Sequence, residues 1–232
     1  MGGWWVAELA NSGQYVQLVS WIFWVLFSIT LHELGHGWAA LRQGDRTPEV
    51  TGHLTWNPWV HMGPVSLLMF ALIGICWGLM PVDPSRFRDG RLGRAKVAAA
   101  GPAMNFGLAL LCSVLLGVLV GVTGGGGSQG GLAANLQVFL FVGGFLNVAL
   151  GLFNLIPAPP LDGASILAGL SWRAWQLYQH PNAQMAGFVA VMLLLILGAF
   201  SVIFSIGATV VWSIAGVVAA VFGGGGGGAG GP

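Results

Sequence analysis

Charged side chains are scarce in this sequence of 232 residues, which contains eight Lys and Arg and seven Asp and Glu. They make up 6% of the chain, against roughly 25% in an ordinary soluble domain. So few charges could not cover the surface of a water-soluble domain of this length, and that class of protein is excluded. The 56% hydrophobic content and the mean hydropathy of +0.80 instead predict a chain that lies in a lipid bilayer.

Cysteine is also rare, and both cysteines, Cys76 and Cys112, lie in apolar runs. Their predicted role is that of small hydrophobic side chains, which argues against a disulfide framework and against a thiolate metal site. No Lys or Arg precedes Arg42, and Glu8 lies near the N-terminus. A cleavable signal peptide is therefore not expected.

The few cations are unevenly distributed, because seven of the eight Lys and Arg fall between Arg42 and Lys96. A basic cluster can indicate nucleic acid binding. Cations close to membrane spans more often face anionic headgroups and obey the positive-inside rule. We therefore expect membrane lipid and no nucleic acid among the partners, and we predict no oligomeric state.

Apolar stretches divide the chain into candidate spans. We predict an all-α polytopic membrane protein with about five transmembrane helices and one re-entrant or interfacial segment. Residues 1–222 form a single membrane-embedded domain in this prediction, whereas the Gly-rich segments 124–131 and 223–232 are flexible or disordered. The clear apolar stretches are 15–41, 96–123, 136–156 and 185–222, the last one broken into two helices near 201–207, and the ambiguous stretch is 62–80.

The strongest local motif is His32-Glu33-Leu34-Gly35-His36 in the first apolar stretch. Histidines four residues apart lie on one face of a helix and can hold one metal ion, while the glutamate beside them can take a proton from a water molecule. Ionisable groups inside a span cost several kcal/mol to insert, which argues for a function. The alternative is a set of polar groups satisfied by neighbouring helices.

A catalytic zinc site needs a third protein ligand and an open position. Asp162 is the one acidic residue after Asp89, and it follows a Pro-rich interruption at the end of the 136–156 stretch. Irregular backbone at membrane depth is tolerated where it is buried in protein or lines a wet cavity. We favour Asp162 as a ligand over its alternative role as the N-cap of segment 163–170.

Five other polar residues near the apolar stretches are candidates for lesser roles. For His53 and His61 we favour polar groups at the membrane interface over metal ligands, and His180 is interpreted as a bystander. Asn105 and Asn154 either bond a neighbouring helix or hold the extended backbone of a substrate.

The order of three motifs resembles the site-2 protease family of intramembrane metalloproteases, peptidase family M50. The motifs are HELGH at 32–36, Gly-Pro-Ala-Met-Asn at 101–105 and NLIPAPPLDG at 154–163. The connector LTWNP at 54–58, followed by His61 and Pro81-Val82-Asp83-Pro84, is similar to the compact branch without PDZ or CBS domains. The resemblance implies one zinc ion bound by His32, His36 and Asp162, Glu33 as general base, and Asn105 and Asn154 close to a site within a three-helix catalytic core.

The three predicted ligands must meet at one depth, and this constrains the path of the chain. Asp162 follows a span antiparallel to 96–123, so Lys96 and Asp162 lie on the same face of the membrane. His36 lies near the end of its span where Arg42 emerges, so Arg42 must lie on that face too. The segment 62–80 therefore cannot cross the membrane once, and we expect it to re-enter or to lie at the interface. All seven clustered cations then lie on one face, which the positive-inside rule makes cytoplasmic.

The sequence thus predicts a multi-pass cell-membrane zinc metalloprotease that cuts transmembrane protein substrates, with an active site opening toward the cytoplasmic face. Two alternatives use the same ligands: a non-proteolytic membrane metal-binding protein or transporter, and a catalytically silent module that holds a transmembrane partner. The intact Glu33 argues against both, because neither needs a general base.

Overall fold

The regular structure of the protein is helical throughout the part that the computed structural model describes, residues 5–124 and 131–223. The predicted flexible segments 124–131 and 223–232 lie outside the described residues, apart from Gly124, Gly131 and Gly223 at their edges. A short 3-10 turn, Pro84–Arg86, precedes α5. The helices are α1 (Trp5–Asn11), α2 (Tyr15–Arg42), α3 (Thr47–Val50), α4 (Pro58–Ile73), α5 (Gly90–Thr123), α6 (Leu132–Asn154), α7 (Asp162–Leu170), α8 (Trp172–Tyr178), α9 (Ala183–Ile196) and α10 (Ala199–Gly223).

Four of the described helices, α2, α5, α6 and α10, are long and apolar enough to cross a bilayer. A span needs about 20 residues for a hydrocarbon core of roughly 30 Å. The 16 residues of α4 and the 14 residues of α9 are apolar but shorter. These helices confirm the prediction of an all-α polytopic membrane protein.

The break between the last two helices lies at residues 197–198, so the predicted position, 201–207, was wrong. Gly198 has φ +86°, a left-handed conformation that glycine adopts without strain. Ser201 donates its hydroxyl to the Gly198 carbonyl over 2.6 Å in the first turn of α10. Gly207 lies inside that helix, where an added Cβ would be 3.1 Å from the Phe145 carbonyl oxygen of α6. Its small size therefore serves helix packing.

The longest helix, α5, occupies the centre of the bundle and packs against α2, α6, α7 and α10. Helices α2 and α6 also contact each other, and α10 packs against both α5 and α6, so the predicted three-helix catalytic core of α2, α5 and α6 lies within a bundle of four long helices. Small residues bring α5 close to α10, because a Cβ on Gly117 would lie 2.6 Å from the Ala215 carbonyl oxygen and one on Gly121 would lie 2.9 Å from that of Ala219. Such close backbone approach is the usual way in which membrane helices pack.

The ambiguous segment 62–80 folds back on itself. Helix α4 is interrupted at Gly63 (φ 66°) and ends at Gly74 (φ 79°), after which the chain returns without regular structure. The returning segment meets the start of the helix where Leu79 N donates to the His61 carbonyl over 2.9 Å. Entry and exit therefore lie at the same end of the bundle, as the depth argument predicts. We call this segment the hairpin.

Polar contacts tie the end of α2 to the start of α5. The side-chain amide of Gln43 donates to the Asp89 carboxylate over 3.1 Å, and the backbone N–H of Arg88 donates to the backbone carbonyl of Gln43 over 2.9 Å. The buried Asp45 carboxylate accepts from Asp83 N over 2.7 Å, which anchors the exit of the hairpin to the same place. The basic cluster of residues 42–96 is thereby gathered at one end of the bundle.

Candidate metal centre

The two histidines of the HELGH motif lie side by side on α2. Their ring centroids are 4.7 Å apart and their Nε2 atoms are 3.0 Å apart, because residues four positions apart share a helix face. Both side chains are buried, with 7% and 8% of their surface exposed for His32 and His36. The two Nε2 atoms therefore point into one enclosed space.

Oxygen acceptors beside Nδ1 of each ring, a backbone carbonyl for His36 and a side-chain amide for His32, fix which nitrogen carries the proton. His36 Nδ1 lies 2.8 Å from the Val97 carbonyl oxygen, which can only accept, so Nδ1 donates and, in the neutral imidazole that binds a metal, Nε2 keeps its lone pair. His32 Nδ1 lies 2.6 Å from Asn105 Oδ1, and the same reasoning applies if that amide presents its oxygen.

A buried relay of amides sets the orientation of Asn105. Asn147 Nδ2 donates to the Gly143 carbonyl over 2.9 Å, so Asn147 must present Oδ1 to Asn105 Nδ2, which donates to it over 2.9 Å. Asn105 then turns its own oxygen to His32. The relay runs from a carbonyl of α6 through α5 to α2, and Ser28 closes it by accepting from Asn147 over 2.8 Å. Both Nε2 atoms are consequently directed to the site as acceptors.

The third group at this point is the Asp162 carboxylate. Its Oδ2 lies 3.1 Å from His32 Nε2 and its Oδ1 lies 3.4 Å from His36 Nε2. Although Oδ2 is buried, it accepts no hydrogen bond of suitable geometry from the described residues. The N-cap position of α7 is occupied by Leu161, and the helix has no side-chain capping hydrogen bond. Asp162 is the first residue of the helix itself. The alternative capping role is therefore not observed.

The three groups form a ready-made cation site. Four lone-pair atoms meet here, the two Nε2 atoms and the two oxygens of Asp162, with neighbouring atoms 3.0 to 3.4 Å apart, an arrangement that is repulsive unless a proton or a cation lies between them. A tetrahedral metal with bonds of about 2.0–2.1 Å separates its ligands by about 3.3 Å. Two imidazoles and one carboxylate are a common ligand set for catalytic zinc. The residues present thus fit a zinc ion with one position left open.

Glycines allow the surrounding elements to approach the ligands. A Cβ on Gly101 of α5 would lie 2.6 Å from His32 Nε2 and closer still to His36 Nε2, in the space that a metal ion needs. A Cβ on Gly163 would lie 2.5 Å from the Leu155 carbonyl carbon, so glycine lets α7 start directly against the end of α6. These two positions bring Asp162 and α5 up to the histidines.

Glu33 lies beside the ligands and lines the same cavity of about 290 Å³. Its side chain is 7% exposed, and the returning segment of the hairpin covers it at Gly78, where a Cβ would be 2.5 Å from Glu33 Oε1. The cavity is walled by α2, the hairpin, the first turns of α5, the end of α6 and α7. A carboxylate in this position can exchange a proton with a molecule held beside the three ligand atoms.

The other predicted polar residues have different positions. Asn154 lines the cavity, but its amide donates to the Leu150 carbonyl of its own helix over 3.0 Å. His61 is 2% exposed inside the protein, where its Nε2 donates to the Thr55 carbonyl over 2.7 Å, and its place at the membrane interface stays a prediction. Neither His53 nor His61 belongs to the group of ligand atoms found among the described residues.

Three residues of the site were missed by sequence reasoning: Asn147, Gly78 and the backbone carbonyl of Val97. The signal for Asn147 was available, because it is an amide within an apolar span just as Asn105 and Asn154 are. Nothing in the local sequence indicates that Gly78 faces Glu33 or that Val97 faces His36.

The chain was compared with known proteins. The model of peptidase family M50 matches residues 20–133 and 128–198. The chain is 35% identical to "Putative zinc metalloprotease YwhC" of Bacillus subtilis over 63% of its own length and 66% of that protein. It is 32% identical to "Putative zinc metalloprotease Rip2" of Mycolicibacterium smegmatis over 74% of its own length and 64% of the relative. A more distant relative, "Zinc metalloprotease MJ0392" of Methanocaldococcus jannaschii, is 27% identical over 78% of this chain and 44% of the relative.

The chain spans less than two thirds of the Rip2 protein and about two thirds of the YwhC protein. No solved structure is significantly similar to it.

Proposed function

The chain belongs to peptidase family M50, and we propose that it is an intramembrane zinc endopeptidase that hydrolyses peptide bonds within or near transmembrane segments of membrane proteins. The observation that carries this proposal is the meeting of His32, His36 and Asp162 at distances of 3.0 to 3.4 Å, with Glu33 in the same cavity among membrane-spanning helices. The names of the relatives support zinc as the metal.

The roles of the residues follow from their positions. When bound, zinc would lower the pKa of a water molecule to about 7 and polarise the carbonyl of the scissile peptide. His32, His36 and Asp162 hold the ion, and Asn105 orients His32 through Nδ1. The Glu33 carboxylate takes a proton from the attacking water and delivers it to the leaving amine nitrogen.

The substrate must present an extended backbone. Every amide and carbonyl of a transmembrane helix is internally bonded, so its carbonyl carbons are shielded from attack. Residues that weaken helices, such as Gly and Pro, should therefore favour cleavage near the scissile bond. We assign Asn154, which lines the cavity at the end of α6, to the binding of that unwound segment.

Zinc-dependent cleavage is the test of this function. The purified protein in detergent, supplied with zinc, is expected to cut a synthetic transmembrane peptide with a Gly-Pro interruption, because the metal activates the water. A chelator should stop the reaction and added zinc should restore it, with the products identified by mass spectrometry. Zinc binding without cleavage of any peptide in a panel of such sequences would favour the non-proteolytic metal-binding alternative.

We further propose that the active site opens toward the cytoplasm. The cavity lies at the end of the bundle where the basic cluster is gathered, and Lys and Arg are enriched on the cytoplasmic side of membrane proteins. Water and substrate would reach the metal from that side.

Cysteine accessibility in intact cells tests this orientation. Cys76 and Cys112 are first replaced by Ala, and single cysteines are then placed at Val50, at Ser85 and at Ser12, all of which are exposed. Val50→Cys and Ser85→Cys flank the hairpin and should both be shielded from an impermeant thiol reagent, whereas Ser12→Cys should react. Labelling of Val50→Cys and Ser85→Cys from opposite sides would contradict the folded-back hairpin, and the exact reverse pattern would contradict the orientation.

A further inference from the structure

Arg94 is a cation inside the candidate active-site cavity. It lies in the second turn of α5, lines the same cavity as Glu33 and Asp162, and is half-buried. Its guanidinium lies over the indole ring of Trp175 in α8, 5.2 Å from the ring centroid. Stacking of this kind holds one face of the guanidinium in place and leaves the N–H groups at its edge free to donate.

The charge of Arg94 is not neutralised within the described part of the chain. Three cations of the basic cluster have acidic partners, since Arg46 pairs with Glu49, Arg86 with Asp83 and Lys96 with Asp89 at 2.6 to 2.9 Å. The cations without such a pair are Arg42, Arg88, Arg91 and Arg94, and of these four Arg94 lines the cavity. Arg94 forms neither an ion pair nor a hydrogen bond with any described residue. A half-buried guanidinium with unused donors, held in place beside a reaction site, is a receptor for a planar anion.

From these observations we infer that Arg94 binds a carboxylate of the substrate. It therefore selects peptide bonds that have an acidic side chain or a free C-terminus within a few residues. The inference rests on the proposed function. The N–H groups at the edge of the guanidinium recognise a carboxylate, because a carboxylate accepts two parallel hydrogen bonds from one guanidinium. The two carboxylates already in the cavity have other tasks, Asp162 as a metal ligand and Glu33 as the base.

Arg91 provides a natural comparison on the same helix. It lies three residues before Arg94, and its guanidinium is 5.0 Å from the ring centroid of Trp172 in α8. Arg91 is exposed and is not among the residues that line the cavity. If these arginines served to tie α8 to α5 or to bind lipid phosphates, they would act alike. A role in substrate selection belongs to Arg94 alone.

The experiment compares Arg94→Gln with Arg91→Gln on matched transmembrane peptides in neutral detergent. One pair of peptides differs by Glu against Gln at a position near the scissile bond, which is scanned on both sides. A second pair ends near the scissile bond with a free carboxylate or with an amide, and it separates the two sources of the anion. The unmodified protein should favour the acidic member of at least one pair by about tenfold in kcat/KM, the ratio typical of a hydrogen bond to a charged group. Arg94→Gln should reduce that ratio to about one, whereas Arg91→Gln should preserve it.

Binding measurements make the result independent of turnover. Labelled peptides are titrated into the Glu33→Gln protein with and without Arg94→Gln, and the acidic peptide should lose about tenfold in affinity while the neutral peptide is unaffected. Equal losses for both peptides, or equal effects of the two arginine variants, would overturn the inference. So would a stimulation of both peptides by anionic lipid that disappears in Arg94→Gln, since Arg94 would then bind a phosphate. Failure of the unmodified protein to cut any peptide would count against the proposed function, and the binding series would still decide the role of Arg94.

Discussion

Replacing Glu33 by Gln is expected to abolish most cleavage while leaving the metal in place. Gln has the shape of Glu but cannot accept the proton of the attacking water, so the cleavage rate should fall at least ~10²-fold. The ligand atoms belong to His32, His36 and Asp162, so about one zinc ion per chain should stay bound. Elemental analysis of the purified variant and initial rates on a transmembrane peptide measure the two quantities.

Glu49→Gln is the matched control for this variant. Glu49 is an exposed carboxylate in α3 that pairs with Arg46 just before that helix, and an exposed ion pair contributes little to stability. Both zinc content and turnover should be normal in that variant. Near-normal turnover in Glu33→Gln would refute the role of general base, and loss of zinc would show that Glu33 is itself needed for metal binding.

Removing the Asp162 carboxylate is expected to have the largest effect on metal affinity. Asp162→Ala leaves two imidazoles, and two ligands hold zinc far less tightly than three. The loss should exceed the roughly 10–100-fold that is typical when a residue supporting a metal ligand is changed. Zinc affinity is measured by competition with a chromogenic chelator, and peptide cleavage should fall in parallel.

A graded series of variants tests whether the geometry assigns these roles correctly. Asn105→Ala removes the group that orients His32, and it should lower zinc affinity by about 10–100-fold. Asp89→Ala is the control at the same end of the bundle. The ammonium of Lys96 beside Asp89 holds the pKa of that carboxyl below its usual value, but Asp89 is exposed and takes no part in the metal site. Equal zinc affinity in Asp162→Ala and Asp89→Ala would rule out Asp162 as a ligand.

Composition and local spacing determined the class of the protein and the centre of its site. Scarcity of charge excludes a water-soluble surface, and long apolar runs must form helices because lipid offers the backbone no hydrogen-bond partners. The relation between His32 and His36 is equally local, since four residues along a helix place two side chains on one face. The folded-back path of segment 62–80 also followed from the sequence, because it depends on the requirement that remote ligands meet at one depth.

Contacts between remote segments were decided by the tertiary structure. Whether Asp162 caps a helix or faces the histidines depends on how the Pro-rich segment turns α7 toward α2, and the residues of α7 itself permit both. In the same way, nothing local separates Arg94 from Arg91, which share a helix and a charge and each lie over a different tryptophan of α8, although of the two the fold places only Arg94 in the cavity.

The amide relay has the same origin. Asn105 and Asn147 are 42 residues apart, and the sequence around each one indicates only a polar group in an apolar run. Burial in a bundle leaves such a group no water to bond, so its partner must be whatever the packing of α2, α5 and α6 brings within reach. That packing depends on the complementary shapes of whole helix faces, including Gly101 against the histidines and Gly78 against Glu33. The spacing of residues along one helix does not indicate which surfaces of other helices it will contact. The orientation of His32 therefore depends on the assembled bundle.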